Sequence, residues 1–313
     1  MSSIMTNPGA MTALQALKAT NKAINDTQAR ISTGYRVAEA ADNAAYWAIA
    51  TTMRSDNKVL STVQDALGLG AGLVDTAYTA MGTVISYVDE IKTKVAAATQ
   101  SGVDKAKIQA EIDQLIDGIE STVNSAAYAS SNWLTRETGG PTTQEIVSSF
   151  TRNTSGAISL GTITITLTDY ALVDNTTATG TAQVGLLENA DFTYTTSAGT
   201  ATSVTGWDLT ALDISAATSA QLEEAFNGVD SILSELTERA AGLGAIKSRI
   251  DLQSDFISNL VDALERGVGQ LVDADMEEES TRLQALQVQQ QLGIQALSIA
   301  NGNAQNILAL FRQ

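Results

Sequence analysis

Carboxylates are the only abundant side chains in this sequence that could support acid–base or metal chemistry. The 313 residues include 35 Asp and Glu but no histidine and no cysteine. The nitrogen and sulfur ligands of zinc, the thiol nucleophiles and the commonest general base are therefore missing. A carboxylate-only or lysine-based enzyme stays open on these grounds. The composition nevertheless favours a protein with no catalytic residues, no metal site and no cofactor.

The net charge of −17 limits the partners that the chain can attract. Nucleic acid and anionic lipid both require a basic surface, so neither is an expected partner. No stretch is predicted to span a membrane. The N-terminus also lacks a basic region followed by an apolar one. We therefore expect no membrane span, and a secreted product would have to leave by a route that does not use a cleaved signal peptide.

Three segments show the spacing of long helices. Apolar residues recur at alternating steps of three and four, which is the heptad pattern of helices packed side by side. The first seam consists of Leu60, Val63, Leu67, Gly70, Val74, Ala77, Met81, Val84, Val88, Ile91 and Val95. A second helix, capped by Asp104, carries Ile108, Ile112, Leu115, Ile119 and Val123. A third, with a capping box at Thr218 and Gln221, carries Leu222, Ala225, Val229, Ile232, Leu236, Leu243, Ile246, Ile250, Ile257, Leu260, Leu264 and Leu271.

Residues 139–210 have a different character from the helical segments around them. They are rich in Thr, Ser and Gly, and Ile163, Ile165 and Leu167 alternate with threonines as in a strand. Phe192 and Tyr194 indicate another strand. We predict a small β-rich insertion on the outer surface.

Both chain ends are helical by period but carry few charges. Residues 281–313 contain two charges, Arg282 and Arg312, where about eight would be usual. Their glutamines and asparagines are too costly to place in a membrane. A frayed tail remains open for the isolated chain, but the pattern favours a helix covered by protein, with copies of the same chain as the cover.

The N-terminal end matches this C-terminal one. Its seam is predicted to consist of Ala10, Leu14, Leu17, Asn21, Ile24, Gln28 and Ile31, with Asn21 and Gln28 as polar residues that could fix the register. The predicted fold is therefore mainly α: long antiparallel helical hairpins or coiled-coil rods formed by both chain ends, with the β-rich outer insertion between them.

Two sequence blocks resemble bacterial flagellin, the subunit of the flagellar filament. Near the N-terminus the chain reads RISTGYRV from Arg30 and ADNAA from Ala41. These are similar to the family's RLSSGLRI and DDAAGLAIA. Near the C-terminus, QNILALFR from Gln305 is similar to the family's QNVLSLLR. The motif DNAAYW from Asp42 to Trp47, together with a departure from a receptor motif at Glu90, resembles flagellins of alpha-proteobacteria.

The resemblance implies a layered subunit. Residues 1–43 and 273–313 would form an inner core, and residues 44–138 and 211–272 a middle layer of helices. Residues 139–210 would be the variable outer domain.

The resemblance also implies a function and partners. The chain would be a non-enzymatic structural subunit that is exported unfolded by the flagellar type III system. It would polymerise into the extracellular filament used for swimming, alone or with other flagellins. Its further partners would be an export chaperone, the filament cap and the hook–filament junction proteins.

Contacts between subunits are expected to involve residues of both chain ends. Arg36, Asp42 and Asn43 lie in the block that resembles the family's N-terminal joining region, where Gly34 would supply a turn. The full predicted set is Leu14, Leu17, Ile24, Ile31, Gly34, Arg36, Asp42, Asn43, Leu283, Leu297, Ile307, Leu310 and Arg312.

One stretch departs from the family pattern. Flagellins recognised by the innate receptor for flagellin, Toll-like receptor five, carry an arginine-centred motif, LQRxREL. The corresponding stretch here begins Val88-Asp89-Glu90 and continues through Lys92. Because Glu90 reverses the charge of the central arginine, the resemblance predicts a poor activator of that receptor.

Three other functions compete with a filament subunit. A hook–filament junction protein shares the helical plan of the termini. A flagellin with an inserted protease would need a histidine-containing zinc motif, which a chain without histidine cannot provide. An adhesin or phage-receptor role of the insertion would add to filament formation and is compatible with it.

Overall fold

The computed structural model of the chain describes residues 7–136, 140–153, 155–174, 185–195 and 201–310, with the backbone alone for Ala201 and residues 303–310. Most of these residues lie in five helices: α1 (Pro8–Thr33), α2 (Ala44–Ala98), α3 (Lys105–Ser125), α4 (Ser219–Val272) and α5 (Met276–Leu310). Short strands lie between α3 and α4. This confirms the predicted class, helical at both ends with a small β-rich insertion.

Contacts divide the chain into two compact units. The first unit contains Met1–Lys58 and Leu260–Gln313, so it joins the two chain ends. The second unit is the continuous segment Val59–Asn259, which holds α3 and all the strands.

The core of the second unit follows the predicted heptad seam of α2. Every residue of that seam from Leu60 to Val95 is buried, and Leu67, Met81 and Ile91 are completely shielded from solvent. In α3 the predicted Ile112 and Ile119 are buried, but between them Ile116 is buried in place of the predicted Leu115, which is half-buried. Both fit a three-four series, so the spacing alone does not choose between these adjacent residues.

The long helices of the second unit run antiparallel. Lys92 on α2 contacts Asp230 on α4 through an Nζ–Oδ1 distance of 2.6 Å, and further along the same helices Asp75 pairs with Lys247. Because the order along α4 is the reverse of that along α2, these ion pairs confirm a hairpin of rods.

The predicted helix starts differ in how their caps are built. Thr218 and Gln221 form the predicted capping box, in which each side chain accepts a hydrogen bond from the other residue's backbone N–H, at 2.9 and 3.4 Å. Asp104 does precede α3, but its side chain makes no capping hydrogen bond and instead lies 3.6 Å from Lys107.

The insertion consists of paired strands. Two antiparallel hairpins are formed by β4 (Thr143–Arg152) with β5 (Ile158–Thr166) and by β7 (Ala190–Thr195) with β8 (Ala201–Trp207). Shorter pairs join β1 (Ala127–Tyr128) to β2 (Ser131–Asn132) and β3 (Thr135–Arg136) to β6 (Val173–Asp174). The strands β1, β2 and β3 thus precede the predicted insertion, which begins at residue 139. The predicted strands at Ile163 and at Phe192 are therefore confirmed, whereas Leu167 lies in a single 3-10 turn after β5.

Two helix glycines let side chains of the insertion lie directly on the helix backbone. A Cβ atom on Gly70 of α2 would come within 2.7 Å of Ile146, and one on Gly228 of α4 within 2.9 Å of the Trp207 ring. Contacts this short would force the side chain of Ile146 or Trp207 to shift. The glycine within the α2 seam is therefore the place where β4 packs against the rod.

Candidate functional site

The two chain ends pair as antiparallel helices. At one end of the pair, Asn7 Nδ2 donates to the Ala300 carbonyl at 2.9 Å. Near the middle, Gln290 Nε2 donates to Asn21 Oδ1 at 2.7 Å, and at the other end Arg30 lies 3.2 Å from Glu279. The Asn21 contact agrees with the predicted role of this residue in fixing the register.

The face of α1 that meets α5 is rotated slightly from the predicted seam. Ile24 is buried, and Ala10, Leu17 and Ile31 are half-buried as predicted. Leu14, Asn21 and Gln28 are exposed, and the positions that are covered instead are Ala13, Thr20 and Thr27. The correction has a simple physical reason. Small side chains allow α5 to approach closely, and two neighbouring three-four series fit the same sequence.

On α5 the half-buried residues other than Gly302 form one three-four series: Leu283, Leu286, Gln290, Gly293, Leu297 and Ala300. Its members face α1, since a Cβ atom on Gly293 would lie 3.4 Å from Leu17. The predicted interface residues Leu283 and Leu297 thus belong to the series that already contacts α1. The side chains of Ile307 and Leu310, and all of Arg312, lie outside the described residues.

The outer faces of this helical pair expose large apolar side chains. The exposed fraction is 59% for Leu292 and 65% for Ile299. Apart from Met276 in the first turn of α5, the described side chains of this kind are Met11, Leu14, Val288, Leu292, Ile294 and Ile299, which we call the apolar face. Of these, the sequence predicted a named interface role only for Leu14, although Leu292, Ile294 and Ile299 stand out in it as apolar residues on the other faces of α5. Apolar residues on several faces of a helix with few charges were the signal that could have identified them.

A compact joint connects α1 to α2 beside the link between α4 and α5. Gly34 ends α1 with a φ of +75°, a left-handed conformation that suits glycine, and its N–H bonds to the Arg30 carbonyl. The next residues pair with the other chain end, because the Arg36 N–H donates to the Val272 carbonyl and the Ala274 N–H to the Gly34 carbonyl. The predicted turn at Gly34 is confirmed.

The polar residues predicted for this joint make contacts within the subunit. Arg36 donates to the Leu271 carbonyl at 3.0 Å, where a positive charge suits the C-terminus of α4. Asp42 accepts hydrogen bonds from the Ala38 and Glu39 N–H groups, and Asn43 caps α2. Their participation in contacts between subunits stays a prediction.

A buried carboxylate fixes the first turn of α5 against α1. The Glu279 side chain is 6% exposed, and its Oε1 accepts hydrogen bonds from Arg30 and from Arg282. The two guanidinium groups offset part of the cost of removing this negative charge from water, while Oε2 is buried without a hydrogen-bond partner among the described residues. They therefore place the start of α5 relative to the end of α1.

The stretch that departs from the receptor motif presents acid to solvent. Asp89 and Glu90 are exposed, whereas Lys92 is held by its ion pair with Asp230. Lys94 pairs with Glu111, whose hydrogen bond and charge raise the pKa of the lysine, with a smaller contribution from Glu90. Nearby positive charges are thus already paired, and Glu90 remains on the surface.

Neither metal binding nor membrane insertion is supported within the described ranges. No group of three or more Asp and Glu side chains there is arranged to hold a metal ion. Across the same residues, no helix combines the length and the apolar character that crossing a membrane requires.

Comparisons with known proteins identify both ends of the chain. Residues 4–138 match the bacterial flagellin N-terminal helical region, and residues 226–311 match the corresponding C-terminal helical region. The chain is 50% identical to flagellin C of Rhizobium meliloti and 48% identical to a flagellin of Brucella melitensis, with all of each chain covered. It is 44% identical to flagellin A of Rhizobium meliloti, again over the full length of both.

Proposed function

The chain belongs to the bacterial flagellin family, and from this we propose how its parts build a filament. As a flagellin it is a structural protein, not an enzyme, and it polymerises into the extracellular flagellar filament used for swimming. We propose that the paired helices α1 and α5 form the inside of the polymer, where neighbouring copies cover the apolar face.

The exposure of the apolar face is the observation that carries this proposal. Fully burying a side chain such as Leu or Ile contributes about 1.5–3 kcal/mol, so six exposed large side chains represent a strong drive to associate. A lipid cover is disfavoured because glutamines such as Gln289 and Gln291 are interspersed on the same helix. Another protein surface of the same composition satisfies both kinds of side chain.

The remaining layers follow from this placement. We propose that residues 1–43 and 273–313 are the inner core and that residues 44–138 and 211–272 are the middle layer. Residues 139–210 then face solvent as the outer domain. The continuous, buried heptad seam of α2 is the observation that supports the proposal of a helical middle layer. The joint at Gly34, with the contacts of Arg36, Asp42 and Asn43, lies at the proposed boundary between core and middle layer.

We further propose export of the unfolded chain by the flagellar type III system, without a cleaved signal peptide. An export chaperone would shield α5 before export, because an exposed apolar helix with few charges self-associates. At the tip of the growing polymer the chain would meet the cap and, at its base, the junction proteins. Other flagellins could co-assemble with it.

Changing one residue of the apolar face tests the proposed interior. Leu292→Asp is expected to raise the critical concentration for polymerisation at least ten-fold, because a charge would be buried between subunits without a partner. Leu292→Met keeps the side chain apolar and should polymerise normally. Sedimentation of seeded filaments measures both, and circular dichroism of the free subunits should be unchanged. Normal polymerisation of Leu292→Asp would contradict burial of this face.

The acidic surface at Asp89 and Glu90 leads to a prediction about receptor recognition. We expect at least a ten-fold weaker response in a Toll-like receptor five reporter assay than that of a flagellin carrying the arginine-centred motif. Glu90→Arg should increase the response of this chain, since it restores the central positive charge on an exposed site. Equal dose–response curves for the unchanged chain and a motif-bearing flagellin would refute the prediction.

A further inference from the structure

The hairpin of β4 and β5 extends beyond the core of the second unit. At its base, Ile146 and Ile163 pair across the strands and are buried. Further along, β5 becomes exposed on both faces, from Ile158 to Leu160. Isolated two-stranded hairpins are only marginally stable in water, so the protruding part gains little support from the rest of the subunit.

The protruding part of the hairpin is amphipathic. On one face, Leu160 lies opposite Phe150, and Ile158 lies opposite Arg152, whose guanidinium is 5.9 Å from the Phe150 ring. Ile158 and Leu160 are 61% and 58% exposed. On the other face, Thr151 and Ser159 pair and share a hydrogen bond of 2.7 Å. The described residues of the subunit leave the apolar side of this hairpin open to solvent.

We propose that the hairpins of neighbouring subunits in the filament pack against each other through this apolar side. The inference rests on the proposed filament function, which places many copies of the same hairpin on one outer surface. It adds a contact between insertions to the contacts of the polymer interior.

Charge permits contact between two copies at this hairpin. The chain as a whole carries a net charge of −17, so two copies repel each other over most of their surfaces. Within β4 and β5, and the turn between them, the only charged residues are Glu145 and Arg152, which cancel. The hairpin therefore adds no net charge to the contact, and the one charge on its apolar side, that of Arg152, lies against the Phe150 ring.

The size of the contact explains why it would form in the filament and not between free subunits. Three apolar side chains per hairpin bury far less than the roughly 1,200 Å² that specific, stable protein–protein interfaces require at minimum. A polymer holds neighbouring hairpins at millimolar effective concentration, and at that concentration a weak contact is populated. Free subunits should accordingly remain monomeric through this surface.

The absence of native cysteine allows a direct test by cross-linking. Leu160→Cys is expected to give covalent dimers with a short bismaleimide in assembled filaments, at least ten-fold more than in free subunits. Ser159→Cys is the matched control, because it is the adjacent residue on the polar face, and it should give few dimers. Ile158→Cys is a second probe of the apolar side should Leu160→Cys perturb the hairpin.

Three results would overturn the contact between hairpins. In the first, neither Leu160→Cys nor Ile158→Cys cross-links in filaments. In the second, Ser159→Cys cross-links in filaments as much as the two apolar-side variants do. In the third, an apolar-side cysteine is as strongly shielded from maleimide in free subunits as it is in filaments. The last would show that the chain covers this side itself. Filament formation by the unchanged chain is scored separately, so a missing contact in normal filaments leaves the proposed function standing. Failure of the unchanged chain to form filaments would overturn both.

Discussion

Removing residues 281–313 is expected to abolish filament formation. The truncation leaves only the first turn of α5 and takes away the partner of α1, including the contacts made by Gln290, Gly293 and Ala300. It also removes Val288, Leu292, Ile294 and Ile299 from the apolar face. Negative-stain microscopy of the truncated chain with filament seeds should therefore show no growth.

A general loss of folding must be separated from this effect. The heptad core of the second unit, Val59–Asn259, contains no residue of the deleted segment, so its thermal unfolding should persist in circular dichroism. The full-length chain prepared in parallel is the control for seed quality. Filaments of normal length from the truncated chain would show that this chain end is not needed to build the polymer.

Leu243→Ala is expected to lower the free energy of unfolding of the second unit by about 2–5 kcal/mol. Leu243 lies in the α4 seam and is completely buried, so truncation removes apolar contacts and leaves a cavity. A loss of this size is a large fraction of the stability of an ordinary domain. Urea unfolding of free subunits, followed by circular dichroism, measures it.

Leu252 provides the matched control on the same helix. It is 71% exposed, so Leu252→Ala should change the free energy of unfolding of the free subunit by no more than about 0.5 kcal/mol. Both variants delete the same atoms from the same residue type, and only burial distinguishes them. Equal destabilisation by the two variants would contradict the assignment of Leu243 to the core.

The parts of the fold that repeat locally were predictable from the sequence. The α2 seam is regular over many turns, so its buried residues follow from spacing alone. The α1 seam was predicted less well, because alanine and threonine at positions such as Ala13 and Thr20 make two neighbouring series equally plausible. The choice depends on the partner helix, where Gly293 admits Leu17, and periodicity within α1 does not contain that information.

The joint and the apolar face show the same limit for the candidate site. Sequence blocks drew attention to Arg36, but its acceptor is a backbone carbonyl of Leu271, 235 residues away, which no side-chain pattern reveals. Similarly, Leu297 and Leu292 are both apolar residues of one helix. Which of them faces α1 and which faces outward is determined by how α5 packs, so exposure had to come from the structure.

The pairing of Asn7 with Ala300 has a consequence for the order of folding. These residues are separated by 293 positions, and closing a flexible loop of that length costs about 5 kcal/mol in chain entropy. Contacts within the second unit close smaller loops, of 17 positions for Lys94 with Glu111 and 138 positions for Lys92 with Asp230. Because non-local contacts form slowly, we expect the helices of the second unit to form first and α1 and α5 to pair last. During that interval both chain ends remain available to the end of a growing polymer.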